Sequence, residues 1–378
     1  MLACVLLSLS LRPPPRREAL RLGAASLAST LPPLLPTSAL EAPSIQRTVS
    51  QPQLLASLAS APPRDIVLTG ANSGVGLAAA QLLTAAGHRV VCACRTQAKA
   101  DAAAAQCRAF AAAHARRGGG GARGAACDLS SLRSVREFAA SLRGAPVDTL
   151  ALNAGVARGT AEAEARRTSD GFEETVGVNH LGHFLLASLL VPNLEAAARP
   201  RLVVTASPVH DPTSGGGNVG AAASLGDLAG LAAGPGFSMV DGGVYDADKA
   251  YKDSKLCNML FMAEASRRFA AKGITVNAFS PGLIADPKGF FRNQNQVFAT
   301  IFNTITKVAG VADTNEFGGS ALAYMAVDPA LDDVTGAWYD TLPPGKHQLA
   351  VHAASDEARD VEKQKRLWML SSELVGLA

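Results

Sequence analysis

The chain carries almost no net charge, +3 over 378 residues, so it lacks the electrostatic footprint of a nucleic-acid binder, and neither zinc-ligand nor helix-turn-helix spacing occurs. Nucleic acid is excluded as a partner. Cysteine is scarce as well. The six cysteines, at 4, 92, 94, 107, 127 and 257, make no CxxC pair and fall short of a disulfide scaffold, which points to a reducing compartment. Cys92 and Cys94 alternate with apolar residues and read as small core side chains. His180 and His183 have no third partner at metal spacing and read as packed helix residues, so no metal is expected. A long unbroken apolar run is missing too. Leu22 to Leu40 is uncharged, but Pro32, Pro33 and Pro36 interrupt it, and no transmembrane helix is expected.

What is present is a globular composition, 48% hydrophobic and 18% charged, on a length that suits one large α/β domain. Residues 1–63 stand apart. They carry Arg12, Arg16, Arg17, Arg21 and Arg47 against only Glu18 and Glu41, with much Ala, Ser, Leu and Pro, the make-up of a targeting extension that is disordered or cleaved. Met1 to Leu11 suits a short signal-peptide core, and a signal followed by a basic, acid-poor stretch fits import into a complex plastid, although no positive residue precedes that core. The alternative is a tail without function.

From Arg64 to Ala378, short β-rich runs alternate with helical patterns, the mark of a parallel sheet covered on both faces. Strands are expected at Asp65–Thr69, Arg89–Cys94, Ala125–Asp128, Asp148–Leu152, Arg201–Ala206, Ile274–Phe279 and Gly336–Tyr339. Helices are expected near Val75–Ala86, Gln97–Arg116, Leu132–Leu142, Gly171–Leu194, Tyr245–Ala271, Asn315–Ala326 and Asp356–Leu374. The expected fold is a single doubly wound α/β domain with a seven-stranded, mainly parallel sheet and an added C-terminal helix. Gly118 to Gly121 marks a flexible loop. A longer insertion, roughly Pro208 to Val244, precedes the Tyr245–Ala271 helix and reads as a substrate cover or as disorder. The apolar stretch Phe290 to Val311 reads as a lid, a membrane-facing helix or a buried one.

Gly70-Ala-Asn72-Ser73-Gly74-Val75-Gly76 joins the first strand to the first helix. Glycines there let backbone approach a pyrophosphate lying on the helix N-terminus, the Rossmann-type arrangement. Where an enzyme preferring NAD carries Asp or Glu, this chain has Arg95, which suits a 2′-phosphate, so NADPH is favoured; the alternative is a solvated surface charge. Asp128 and Leu129 close the third strand beside the adenine position, and Asn153-Ala154-Gly155 closes the fourth. Tyr251 and Lys255 lie one turn apart on one helix face, a proton donor with a cation to stabilise its phenolate. Asn179 is placed to hold a water or backbone group behind Lys255.

These residues resemble the short-chain dehydrogenase/reductase superfamily: the T-G-x-x-x-G-x-G turn, Asn-Ala-Gly, Asn179, Ser207 ending the fifth strand, Tyr251 and Lys255. Within it, Asn179-His-Leu-Gly-His-Phe184, Leu225-Gly-Asp-Leu228, Asp241-Gly-Gly243, Lys249-Ala-Tyr-Lys-Asp-Ser-Lys255, Cys257-Asn-Met-Leu260 and Ser372 to Ala378 resemble light-dependent protochlorophyllide reductases. That resemblance implies a plastid enzyme of chlorophyll biosynthesis. It reduces the ring D double bond of the tetrapyrrole protochlorophyllide, with hydride from NADPH and a proton from Tyr251 after the pigment absorbs light. It further implies that Lys255 holds the nicotinamide ribose, that Ser207 is secondary, and that Pro281 and Gly282 cover the nicotinamide. It leaves room for peripheral thylakoid association and for a homo-oligomer. One departure stands out: where the family has a Cys after Pro-Gly, this chain has Leu283, which neither donates a proton nor forms a thiolate. Two alternatives follow, a reductase of another carbonyl or tetrapyrrole, and a non-catalytic NADPH or pigment binder.

Overall fold

The structure, a computed structural model, describes residues 58, 60–114, 118, 120–284, 312–341 and 345–377, all within the second of the chain's two compact units, Gln46–Ala378. The expectations for Met1 to Leu11, for Leu22 to Leu40 and for Phe290 to Val311 fall outside the described residues. Leu58 and Ala61 are buried in the core, so packed structure begins upstream of Arg64. Among the described residues no helix is long and apolar enough to cross a membrane.

Among the described residues eight strands form one sheet in the order β3-β2-β1-β4-β5-β6-β7-β8: β1 Asp65–Thr69, β2 Arg89–Cys94, β3 Gly121–Ala126, β4 Thr149–Leu152, β5 Arg201–Thr205, β6 Thr275–Phe279, β7 Trp338–Asp340 and β8 Ala350–His352. Strands β1 to β7 run parallel and β8 pairs antiparallel with β7. The order reverses between β1 and β4, which opens a crevice at the carboxyl ends of the strands, where ligands of open α/β sheets bind. Against the seven expected strands, β8 is additional; at three residues it is too short to show a period. The third strand also shifts. It runs Gly121–Ala126 rather than Ala125–Asp128, because its small residues serve an approaching helix: a Cβ on Gly124 would lie 2.5 Å from the Ala100 carbonyl carbon. Small residues mask a strand from propensity.

Helices α1 Gly74–Ala85, α2 Gln97–His114 and α6 Asn315–Val327 cover one face, in a core with Leu68, Leu83, Cys107 and Phe317. Helices α3 Leu132–Ser141, α4 Gly182–Leu189, α5 Ala247–Ala270 and α7 Val361–Leu374 cover the other, around Leu152, Phe184, Leu256 and Leu367. Side-chain caps set four of the starts: Ser131 Oγ, Asp246, Thr314 Oγ1 and Asp360 accept from the backbone N–H of Ser134, Lys249, Phe317 and Lys363. Asp360 also divides the expected Asp356–Leu374 helix into a 3-10 turn, Glu357–Arg359, and α7. The expected Gly171–Leu194 helix is broken more deeply. It comprises Glu174–Val176, a π-helical turn Gly177–Leu181, α4, and Val191–Glu195, restarted by Pro192.

The insertion from Pro208 to Val244 is neither a free cover nor disordered. Leu225, Leu228, Leu231, Phe237 and Val240 are buried in the core beside α5 and α7, and polar ties fix it to α5. Ser224 N–H donates to Asp253 (3.0 Å), and Lys249 Nζ pairs with Asp253 (2.6 Å) and Asp241 (2.9 Å). Buried charges need such partners. The insertion therefore braces the helix that carries Tyr251.

Candidate active site

One cavity of about 600 Å³ opens at the carboxyl ends of β1, β2, β4 and β5. Gly70, Asn72, Ser73, Gly74, Val75, Gly76, Arg95, Asp128, Leu129, Asn153, Ala154, Gly155, Ser207, Tyr251, Lys255, Pro281 and Gly282 all line it. Asn179 is the one expected site residue that does not border it.

The nucleotide side is built from backbone. Gly70 has φ +70°, and a Cβ on Gly76 would come within 2.3 Å of the Gly70 carbonyl oxygen, so the turn closes only with glycine at both positions. Ser73 precedes α1 in extended conformation and makes no side-chain cap, and no acid lies in the first turn. The helix N-terminus thus faces the cavity with its amide hydrogens uncapped and no carboxylate to repel an anion. Thr69 Oγ1 accepts from the N–H groups of Asn153 (2.9 Å) and Ala154 (3.0 Å), and Asn153 Nδ2 donates to the Thr69 carbonyl (3.0 Å), which locks β1 to β4 across the crevice. Arg95 is joined in the cavity lining by Lys99, in the first turn of α2. Lys99 is absent from the sequence expectations, and because Arg95 precedes α2 the two share no helix face that would signal it. Asp128 lies beyond β3 and commits a carboxylate oxygen to Ser130, accepting from its N–H (3.0 Å) and Oγ–H (2.7 Å). The glycine turn, the uncapped helix and the two cations together fit a phosphorylated dinucleotide.

The reactive side is built from side chains. Tyr251 and Lys255 project from α5. Burial pushes the Tyr251 phenol well above its usual range, and the opposing influence is a hydrogen bond with Ser207. Lys255 is 4% exposed, and burial pushes it down to about 8. Its Nζ donates to the Thr205 carbonyl at 3.2 Å and stands 5.5 Å from the Tyr251 ring centre. Lys255, expected to stabilise the phenolate, thus stands beside the ring, and Ser207, expected to be secondary, is hydrogen-bonded to the phenol.

Asn179, fully buried, sits in the π-helical turn; such single turns occur often at functional sites. Of the two expected roles, its side chain takes the holding of backbone. Oδ1 accepts from Val156 N–H (2.8 Å) while Nδ2 donates to the Val156 carbonyl (3.0 Å) and Ser254 Oγ (3.0 Å). Ser254 Oγ in turn donates to the Tyr251 carbonyl at 2.6 Å. The clamp ties the β4 exit to α5 directly behind the cavity. His180 packs away from it, with Nε2 2.8 Å from Ser371 Oγ.

Sequence reading also passes over Val156, Val178, Val209 and Ile284, which line the cavity together with Leu283. Isolated apolar residues on four separate segments have no shared pattern to reveal them. Val209 is the insertion's contact with the cavity beyond Ser207. Leu283 is 36% exposed, and its backbone is held at both ends by Asp313: Leu283 N–H donates to Oδ2 (3.2 Å) and Asp313 N–H donates to the Leu283 carbonyl (2.9 Å). The described cysteines, 92, 94, 107, 127 and 257, are free and buried. Cys257 points into the core of α5, and no described thiol takes the place of Leu283.

Comparison with known proteins points the same way as the residues. The short chain dehydrogenase family pattern matches residues 64–224. Protochlorophyllide reductase A, chloroplastic, of Arabidopsis thaliana is 40% identical over 332 residues, 83% of this chain and 77% of that protein. The enzyme of the same name from Triticum aestivum is 41% identical over 331 residues, 83% of this chain and 80% of its own. That of Oryza sativa subsp. japonica is 42% identical over 330 residues, 82% and 80%. Among solved structures, an uncharacterized protein from Mycobacterium paratuberculosis superposes with a TM-score of 0.59 at 29% identity, covering 84% of this chain and 97% of that one.

Proposed function

This chain belongs to the short-chain dehydrogenase/reductase family, and from that premise we propose that it is an oxidoreductase of chlorophyll biosynthesis, acting in the plastid, that reduces the ring D double bond of protochlorophyllide with NADPH in light. Tyr251, Ser207, Lys255 and Asn179 form its proton-delivering side. Gly70 to Gly76, Arg95, Asp128, Leu129, Asn153 to Gly155, Pro281 and Gly282 form its cofactor side. The basic, acid-poor stretch upstream of Leu58 carries the targeting information.

The observation that carries the reading is one cavity bordered both by the glycine turn and by Tyr251, with Val156, Val178, Val209, Leu283 and Ile284 also in its lining. Such a wall suits a broad, flat, apolar ring system better than a sugar or a short hydroxy acid. The chloroplastic reductases named above are similar over four-fifths of the chain. NADPH supplies the hydride when bound. Arg95 and Lys99 in the cavity lining support the phosphorylated form over NADH.

The residues then act on the proton. With NADPH bound, hydride would be available to one alkene carbon, and the Tyr251 hydroxyl would give its proton to the other. A phenol pushed up by burial stays protonated at neutral pH, so the donor is loaded before reaction. Once the proton has left, Ser207 stabilises the phenolate through their hydrogen bond, and the Lys255 ammonium is the nearest cation to the ring. Asn179 and Ser254 hold α5 at the angle that aims Tyr251.

The test uses the full chain with NADPH and protochlorophyllide, illuminated while the red-shifted absorbance of the product is followed. Product in light and none in darkness is the expected result, with NADH weaker by at least about tenfold in KM. Pigment binding without product points to a non-catalytic binder, and absence of pigment binding points to another substrate.

A further inference from the structure

His183 lies outside the cavity, at the start of α4, and nothing in the reaction above uses it; yet both of its ring nitrogens are engaged. Nδ1 is 3.1 Å from the Asn179 carbonyl and Nε2 is 2.9 Å from Thr69 Oγ1, in a site only 3% exposed. A carbonyl only accepts, so Nδ1 carries the proton and donates. Burial pushes the ring down to about 4 and keeps it neutral, so Nε2 holds a lone pair and Thr69 Oγ–H donates to it. The hydroxyl has one proton, and this acceptor is nearer than the Ala151 carbonyl at 3.3 Å. Its two lone pairs meet the N–H groups of Asn153 and Ala154. Every donor and acceptor in the chain Asn179, His183, Thr69, Asn153 then has a consistent role.

We propose that His183 is a positioning residue that couples the cofactor turn to the proton-delivering side, joining the Thr69 hydroxyl that locks β1 to β4 to the π-helical turn that carries Asn179. Movement of the β1 and β4 exits as a dinucleotide seats is passed through the imidazole to Asn179, and from Asn179 through Ser254 to the helix turn of Tyr251. Asn179 alone ties β4 to α5; His183 adds the β1 side, where the glycine turn begins. The inference rests on reading Gly70 to Gly76 as the dinucleotide site.

Two substitutions separate coupling from packing. His183→Phe keeps the ring and removes both hydrogen bonds, whereas His183→Gln carries an amide donor and a carbonyl acceptor. Affinity for NADPH is measured by nicotinamide fluorescence on the full chain, beside turnover in light. Coupling predicts that Phe weakens NADPH about tenfold and lowers turnover, while Gln stays within about threefold of the parent. A ring needed only for packing predicts the reverse order, because a buried amide costs more than a phenyl ring, and that order overturns the proposal. If the Phe variant does not fold, His183→Leu replaces it beside His183→Gln. Leu is expected to weaken NADPH about tenfold relative to Gln; equal affinities for the two overturn the proposal. Failure of the parent itself to bind NADPH counts against the dinucleotide reading and not against the coupling alone.

Discussion

From Gly70 to Gly76 the cavity wall is main chain, shaped by a glycine at φ +70° and by a contact that leaves no room for a Cβ. From Ser207 to Lys255 it is side chains, each held by a different segment: Ser207 by the end of β5, Tyr251 and Lys255 by α5, and Asn179 behind them by the π-helical turn. The two sides also differ in cost. Main-chain amides at a helix start are exposed to an incoming anion and need no burial of charge. Lys255 and Tyr251 are placed where burial opposes ionisation of both. On the proposed reading, binding falls to a surface that costs little, and proton delivery to a buried set of groups that destabilises the fold to hold its reactive geometry.

The sharpest way to divide the two sides is Tyr251→Phe, which removes one hydroxyl and no ring. Turnover in light is expected to fall by about 10² to 10⁴-fold, the usual contribution of a positioned acid, with NADPH affinity by fluorescence within about threefold of the parent. An equal loss in both measurements breaks the division, because it makes the phenol part of the cofactor site.

Lys255→Met comes next in size and is expected to stabilise the protein while impairing it. Lys255 is pushed down from 10.5 to about 8, so between those values the unfolded chain binds more protons than the folded one and stability rises with pH. Below pH 8 the full cost of keeping the buried ammonium charged is present. Methionine has a similar reach and no charge, and is expected to add about 1–3 kcal/mol at pH 7, since a tenfold change in an ionisation equilibrium is worth about 1.4 kcal/mol. It is also expected to flatten the rise between pH 8 and 10.5. Denaturant melts of both proteins across that range check it, and a variant less stable than the parent at pH 7 places Lys255 among the stabilising groups.

The same division explains what is legible in the sequence. A glycine turn between a strand and a helix is local, so Gly70 to Gly76, β1, β2 and α1 can be read within a residue or so, and so can Tyr251 and Lys255 on one continuous helix. The support for Tyr251 cannot. The Asn179 clamp needs Val156 and Ser254, 23 and 75 positions away in sequence, and the π-helical turn that permits it has no signature in propensity. Lys99 is hidden in an alanine-rich helix whose pattern reads as ordinary surface, and β3 in residues chosen for smallness. The insertion reads as a cover because its apolar residues are scattered among glycines, without the period that marks a packed element.

Leu283 is where the two sides meet, and Leu283→Cys is expected to have the smallest effect of the three. The segment before it is fixed by close approach: a Cβ on Gly282, at φ +92°, would lie 2.2 Å from Asp313 Oδ2, the atom that also accepts from Leu283 N–H. Changing the side chain at 283 therefore leaves its backbone in place, and only the wall of the cavity changes. Cysteine is smaller than leucine and restores a weak donor. If Tyr251 with Ser207 already forms a complete proton donor, the thiol is redundant, kcat in light stays within about twofold, and the KM for pigment rises about two- to threefold through lost apolar contact. A kcat higher by about tenfold or more has the opposite meaning. The proton side would then need a second donor at the cofactor cover, and the boundary between a main-chain cofactor side and a side-chain proton side would no longer run between Lys255 and Pro281.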